Sequence, residues 1–118
     1  MKLSELKSQS QSVDVCKNDI LKCILGLSDL DVTVFCALKG KNCDIVELSG
    51  KVKRDRSSVQ RSVKNLITAG LLSRHGVNMK RGRKYIYSTI TTEKLKEMLN
   101  FQIDELCGKL KAQVKIMN

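Results

Sequence analysis

The sequence has no tryptophan, two phenylalanines and two tyrosines among its 118 residues. Hydrophobic residues still make up 42%, which excludes wholesale disorder, so the core has to be built from Leu, Ile and Val. No apolar run nears the roughly 18 residues that span a bilayer. The start, Met1-Lys2-Leu3-Ser4-Glu5-Leu6-Lys7, has no apolar stretch leading to a small-residue cleavage site. The chain therefore reads as cytoplasmic, with no membrane partner. Its length leaves room for one compact domain and excludes two unrelated catalytic ones.

Histidine is scarcer still. His75 is the single imidazole, so a Cys–His nucleophilic pair has only one possible base, with no motif around it. Glycine-rich phosphate loops are missing too, and the chain is expected not to be an enzyme. Five cysteines (Cys16, Cys23, Cys36, Cys43 and Cys107) invite a metal or redox reading, yet no Cys-x-x-Cys pair exists and the familiar zinc spacings are absent. Neither a metal nor another cofactor is implied. Cys16, Cys23 and Cys36 fall among apolar positions and are expected to pack as small hydrophobes, with a thiol-based switch among the five as the alternative. Cys107 could bridge two subunits, but in a reducing cytosol a free thiol is expected.

Acidic residues are nearly absent from residues 51 to 84, and this gap is the most informative one. That segment carries eleven basic side chains against Asp55 alone, an excess equal to the whole chain's formal charge of +10. The remainder is neutral. A concentrated positive field needs a polyanion, and nucleic acid is the usual one, because neutralised phosphates release condensed counterions. An anionic membrane fits poorly, since the segment lacks the Trp or Phe of a membrane-surface helix.

Along the chain, residues 1 to 11 read as a polar arm. Ser12 can cap a first helix with Val13, Cys16, Ile20, Cys23, Ile24 and Leu27 on one face, stopped at Gly26. Ser28 and Asp31 suggest a capping box for a second helix carrying Leu30, Val32, Val34, Phe35 and Leu38. A short third helix is expected over about residues 43 to 50, with Asn42 near its cap. Asp55 then caps a fourth helix, with Val59, Val63, Leu66 and Ile67 as its buried stripe and Gly70 as its stop.

Residues 71 to 75 and 84 to 90 read as two strands around a basic loop, residues 76 to 83, in which Gly82 can take a positive φ. Thr91 or Thr92 opens a last helix reaching about Ile116. Its apolar residues Leu99, Ile103, Leu106, Leu110, Val114 and Met117 recur at threes and fours, close to a coiled-coil seam. At 1.5 Å per residue it would be ~40 Å long, more than a small domain covers by itself. A second copy is the expected partner.

The order is helix, helix, short helix, basic turn, amphipathic helix, strand, basic loop, strand, long helix. This predicts a mainly α fold with a small β-hairpin: a winged helix-turn-helix over residues 12 to 90 and a long C-terminal dimerisation helix over 91 to 118. At 100° per residue, Ser57, Gln60, Arg61, Lys64 and Thr68 fall within an arc of about 100°, opposite Val59 and Leu66. Gln suits an adenine edge, Arg a guanine edge, and hydroxyls either bases or phosphates, which makes Ser57, Gln60, Arg61 and Lys64 the base-reading candidates. Lys51, Lys53, Arg54, Arg56, Ser58 and Thr68 are the backbone candidates. Arg74, Lys80, Arg81, Gly82, Arg83 and Lys84 form the wing, expected on sugar-phosphate or in a minor groove.

The run Asp55-Arg56-Ser57-Ser58-Val59-Gln60-Arg61-Ser62-Val63-Lys64-Asn65-Leu66, followed by Ala69-Gly70-Leu71-Leu72-Ser73-Arg74, resembles the recognition helix and first wing strand of archaeal winged-helix transcriptional regulators of the MarR/TrmB-like group. Lys80-Arg81-Gly82-Arg83-Lys84-Tyr85-Ile86-Tyr87 is similar to their wing. The resemblance covers roughly residues 28 to 117. It implies a dimeric, sequence-specific duplex DNA binder acting in transcription, its last helix contributing to dimerisation. In two respects the sequence departs from the group. The stretch from Leu48 to Ser57 is longer than the usual turn, and no ligand-binding domain follows the wing, so a sugar effector is not carried over. The competing readings are a winged-helix module that docks on another protein, a thiol-responsive form of the regulator, and an RNA or single-strand binder. The last is disfavoured because Phe35, Tyr85, Tyr87 and Phe101 are too few for stacking platforms.

Overall fold

The computed structural model describes residues 14 to 17 and 19 to 117. The polar arm and the Ser12 cap lie outside them. The elements are α1 (Ile20–Leu25), α2 (Asp29–Leu38), α3 (Ile45–Val52), α4 (Arg56–Thr68), the antiparallel strands β1 (Leu72–Asn78) and β2 (Arg83–Thr89), and α5 (Thr92–Lys115). Four helices followed by a two-stranded wing and a long helix make the winged helix-turn-helix that the sequence predicts.

Local chemistry explains most boundaries. The Ser28 hydroxyl accepts from the Asp31 N–H at 3.1 Å while the Asp31 carboxylate accepts from the Ser28 N–H at 3.3 Å, a reciprocal cap that starts α2. Asp55 starts α4 by accepting from the Ser58 N–H at 3.0 Å, and its other carboxylate oxygen accepts from the Ser58 hydroxyl at 2.7 Å. The Ser58 hydroxyl and N–H together hold the Asp55 carboxyl below the ordinary carboxylate range. Thr91 caps α5 through the Lys94 N–H. Gly70, at φ 81°, ends α4 in a left-handed conformation that lets Leu71 N–H reach back to Leu66 C=O.

Three expectations are corrected. Among the described residues the first helix begins at Ile20, and the expected helical run does not pass through residues 14 to 17, where Asp14 accepts from Cys16 N–H through its side chain and from Lys17 N–H through its backbone, closing a turn instead. The third helix begins at Ile45, capped by Asp44, since Cys43 exchanges both backbone hydrogen bonds with Tyr87. It runs on to Val52, so the long stretch after Leu48 is helix plus a three-residue turn, with Lys53 left-handed at φ 55°. The strands pair through to Asn78 and Arg83, which shortens the wing loop to four residues. That tight turn is closed by Met79 N–H donating to Gly82 C=O, with Gly82 at φ 86°.

The cysteines also depart from expectation. Cys16 lies in the turn before α1, where it is bridged to Cys36 on α2, and Cys23 is exposed. Neither Cys16 nor Cys36 is the fully buried free thiol that apolar neighbours suggested. Cys43 is buried and unbridged, and Cys107 is exposed and unbridged.

The core joins Val34, Phe35 and Leu38 of α2, Leu48 of α3, Val59, Val63 and Leu66 of α4, and Leu71, with Leu95 at the base of α5. Each large side chain buried there contributes roughly 1.5–3 kcal/mol. Helix α4 packs on both α2 and α3, and α1 packs on α2 and α5. Beyond Leu95 the last helix leaves the body of the molecule. Met98 and Leu99 rest against the core edge, but Ile103, Leu106, Leu110, Val114 and Met117 are 39%, 43%, 51%, 65% and 73% exposed. Leu99 thus rests partly on the domain, and among the described residues the exposed part of the stripe begins at Ile103.

Candidate nucleic-acid interface

Burial of Val59, Ser62, Val63 and Leu66 fixes the rotation of α4, and the opposite face follows from it. Ser57, Gln60, Arg61, Lys64 and Thr68 are all exposed. Thr68 donates its hydroxyl to Lys64 C=O and stands in the last turn, away from the positively polarised N-terminus. Ser58, half-buried, uses its hydroxyl in the Asp55 cap and receives Arg61 at 3.4 Å, so it serves the helix start. Ser57, Gln60, Arg61 and Lys64 remain the outward polar set.

The wing is locked beside that face by residues 43 and 44, forty positions away in sequence from β2. Cys43 N–H donates to Tyr87 C=O at 3.2 Å and Tyr87 N–H donates to Cys43 C=O at 2.8 Å. One residue on, the Asp44 carboxylate accepts from Glu47 N–H as the cap of α3 and pairs with the Lys84 ammonium at 2.7 Å. The Glu47 N–H and the Lys84 ammonium hold the Asp44 carboxyl below its usual range, and Asp44 in turn raises Lys84. Lys84 therefore anchors the wing. Its side chain is still 41% exposed, so it borders the cationic surface while it is paired. Lys51 is similarly engaged, its ammonium 3.2 Å from the Cys43 sulfur.

A second cluster shapes the wing base. Gly76 pairs with Tyr85, and its missing side chain leaves room for the Arg83 guanidinium, which lies where a Cβ would project. The Arg74 and Arg83 guanidiniums stand 4.4 Å and 5.7 Å from the centre of the Tyr85 ring. Arg56, Gln60, Arg83, Lys84 and Tyr85 meet around a cleft of about 290 Å³, so the N-terminal half of α4 and the wing base face one space. Lys80, Arg81 and Gly82 are exposed at the tip, and Lys53, Arg54 and Arg56 are exposed around the turn into α4. Sequence reasoning missed Asp44, Gly76 and Tyr85 as organisers of this surface. The alternation that put Tyr85 and Tyr87 in a strand was the available signal for one of them. The Asp44–Lys84 pair had none.

This arrangement is an outward polar helix face flanked by an anchored cationic hairpin, and comparison with known proteins identifies its lineage. The family described as sugar-specific transcriptional regulator TrmB matches residues 21–93. The chain belongs to the TrmB family. It is 36% identical over 100 residues to the uncharacterized protein MJ1503 of Methanocaldococcus jannaschii, covering 83% of this chain and 76% of that protein. Among solved structures, a possible transcriptional regulator from Methanosarcina mazei is 29% identical with a TM-score of 0.76, covering 82% of this chain and 84% of that one. The ST1889 protein of Sulfolobus tokodaii is 27% identical with a TM-score of 0.66, covering 95% and 99%.

As a TrmB-family member the chain is a winged-helix transcriptional regulator, and its family and fold are regulatory, not enzymatic. The family match spans the segment from α1 to the first turn of α5, so it includes every element that forms the cationic surface. Among the described residues no group of three or more His, Cys, Asp or Glu side chains is placed to hold a metal ion, and no helix is long and apolar enough to cross a membrane.

Proposed function

We propose that this TrmB-family regulator binds double-stranded DNA sequence-specifically as a homodimer in the cytoplasm. The observation that carries the reading is the exposure of Gln60, Arg61 and Lys64 on α4, whose Arg56 and Gln60 line one cleft with Arg83, Lys84 and Tyr85 of the wing base. A convex helix flanked by a cationic hairpin suits a major groove and the backbone or minor groove beside it. Gln60 and Arg61 are assigned to base edges, with Ser57 and Lys64 beside them. Lys53, Arg54 and Arg56 take phosphates at the helix start, and Lys80 and Arg81 take the flanking backbone or minor groove. The Gly82 turn keeps the tip narrow. Lys84 and Lys51 act indirectly, by holding the wing and α3 in place.

The homodimer rests on α5. Its stripe from Ile103 to Met117 keeps a spacing of threes and fours, lies along one face and stays exposed among the described residues. Two copies joined there would present two α4 helices to successive major grooves, which predicts an inverted repeat with half-site centres about 10 bp apart, or a multiple of that. Selection of bound duplexes from a random pool, with the mass of the complex measured in solution, tests the whole reading. The expected outcome is an inverted repeat bound by two chains. Enrichment of single-stranded or unrelated sequences, or a one-chain complex, would contradict it.

A further inference from the structure

Cys16 and Cys36 lie twenty positions apart on different elements, one in the turn before α1 and the other in the last turn of α2. Their Cα atoms are 6.0 Å apart, at the usual span of bridged cysteines, and the two sulfurs are joined. Both residues are half-buried, so the bridge sits at the rim of the core within reach of a small thiol. The other cysteines are placed differently: Cys43 is sealed in the core, and Cys23 and Cys107 are exposed without a partner sulfur.

The elements tied together are the ones that matter for DNA reading. Helix α2 packs directly on α4, which carries Gln60 and Arg61. Helix α1 packs on both α2 and α5, and Val15, next to Cys16, rests against the core. Yet α1 is only six residues long and has no side-chain cap; Leu21 is its one fully buried residue, Leu25 rests partly buried against the core, and Lys22 pairs with Asp19 and Asp29 at the surface. So short a helix does not hold its place through its own hydrogen bonds. The bridge to Cys36 adds a covalent tether to these few contacts. On one side of the tether is the helix-turn-helix, and on the other is the element against which the root of α5 leans.

We propose that Cys16–Cys36 is a reversible thiol–disulfide exchange site, its co-reactant a low-molecular-weight disulfide, and that the bridged state binds duplex DNA more tightly than the dithiol. This rests on the DNA-binding reading for its functional consequence. Oxidation begins when one cysteine thiolate attacks a sulfur of the small disulfide, forming a mixed disulfide and expelling one small thiolate. The second cysteine thiolate then attacks the protein-side sulfur and expels the other. Two protein thiols and one small disulfide become one protein disulfide and two small thiols, so two electrons pass to the co-reactant. Reduction is the reverse. In the dithiol α1 loosens, the seat of α5 against the domain becomes variable, and the two α4 helices of a dimer no longer hold one spacing. The cost of restoring that spacing appears as lost affinity.

The test uses the full chain with Cys23→Ser and Cys107→Ser, which removes the exposed unbridged thiols. The protein is equilibrated in buffers of varied reduced and oxidised glutathione, acid-quenched, alkylated and weighed, and duplex affinity is measured in the same buffers. The expected result is one two-electron transition in which Cys16 and Cys36 gain or lose label together, with affinity at least fivefold weaker on the reduced side. Hydrogen exchange over Ile20–Leu25 should speed up through the same transition. In the same background, Cys16→Ser and, separately, Cys36→Ala should each hold the reduced affinity in every buffer. A pair that never bridges under oxidised glutathione, a pair that never opens under reduced glutathione, or affinities within twofold across a complete transition would each overturn the proposal. If labelling titrates but no buffer supports duplex binding, the DNA-binding reading fails and takes the coupling to affinity with it.

Discussion

Removing the two cations at the wing tip separates electrostatic holding from sequence reading. Lys80 and Arg81 are exposed in the four-residue turn between β1 and β2, and no acidic side chain lies between Asp55 and Glu93 to offset them. If each contacts one phosphate, the logarithm of affinity falls with the logarithm of salt by about 0.9 per contact. A dimer has two wings, so Lys80→Ala with Arg81→Ala removes about four contacts and flattens the slope by about 3.6. Between 50 and 200 mM salt that amounts to roughly 150-fold less loss of affinity than the parent shows. The parallel change Gln60→Ala removes no charge. It should leave the slope alone and lower discrimination at one base pair by about five- to 150-fold, the value of one bidentate contact. Fluorescence anisotropy on a specific and a scrambled duplex, each titrated with salt, reads both quantities. Equal slopes for the parent and the wing variant would refute the assignment of the wing to DNA, and a changed slope for Gln60→Ala would refute the assignment of that residue to a base.

Three further outcomes follow from the geometry. Leu106→Asp with Leu110→Asp should turn a dimer into a monomer by sedimentation, because four half-exposed leucines lose burial worth about 3 kcal/mol or more in total, over a hundredfold in dissociation constant; an unchanged mass would remove α5 as the dimer contact. Gly76→Ala should expel the Arg83 guanidinium from its place over the strand, weakening duplex binding while far-ultraviolet circular dichroism stays the same, and a variant that binds like the parent would show that Arg83 is not positioned by that gap. Acid should release the wing. The Asp44 carboxyl is depressed in the folded state by Glu47 N–H and Lys84, so its stabilisation is complete above the unfolded carboxylate value of about 3.9 and is lost as pH falls through the depressed value. Lys84 is raised, so its share persists below the ordinary lysine value of about 10.4 and is lost as pH climbs through the raised one. Thermal unfolding followed from pH 7 to pH 2 should show a fall that Asp44→Asn flattens, and parallel curves for the two proteins would exclude the pair as a wing anchor.

Much of this fold was legible because its signals are local. The Ser28–Asp31 box, the Asp55 cap, the alternating strand at Tyr85 to Tyr87 and the stripe on α5 each lie within a few residues of the structure they specify. The outward face of α4 was legible for the same reason, since burying Val59, Val63 and Leu66 leaves Gln60, Arg61 and Lys64 one direction to point. What stayed hidden depends on contacts between distant residues. Cys16 shares helical spacing with Ile20 and Cys23, yet the Asp14 turn takes it out of the helix and its partner is Cys36. Cys43 looked like the start of a helix but completes a bridge to Tyr87, and Lys84, one more cation in a basic loop, is claimed by Asp44 forty residues earlier. Leu99 fits the seam by spacing, but the core edge reaches it first.

The central claim is that the α4 face and the anchored wing straddle a duplex together, and chemical footprinting on a selected operator tests it most directly. The account predicts two protected major-groove stretches about 10 bp apart on one side of the helix, each flanked by protected backbone or minor groove that Lys80→Ala with Arg81→Ala exposes again. Protection confined to one kind of groove, or flanking protection that survives loss of both wing cations, would contradict it.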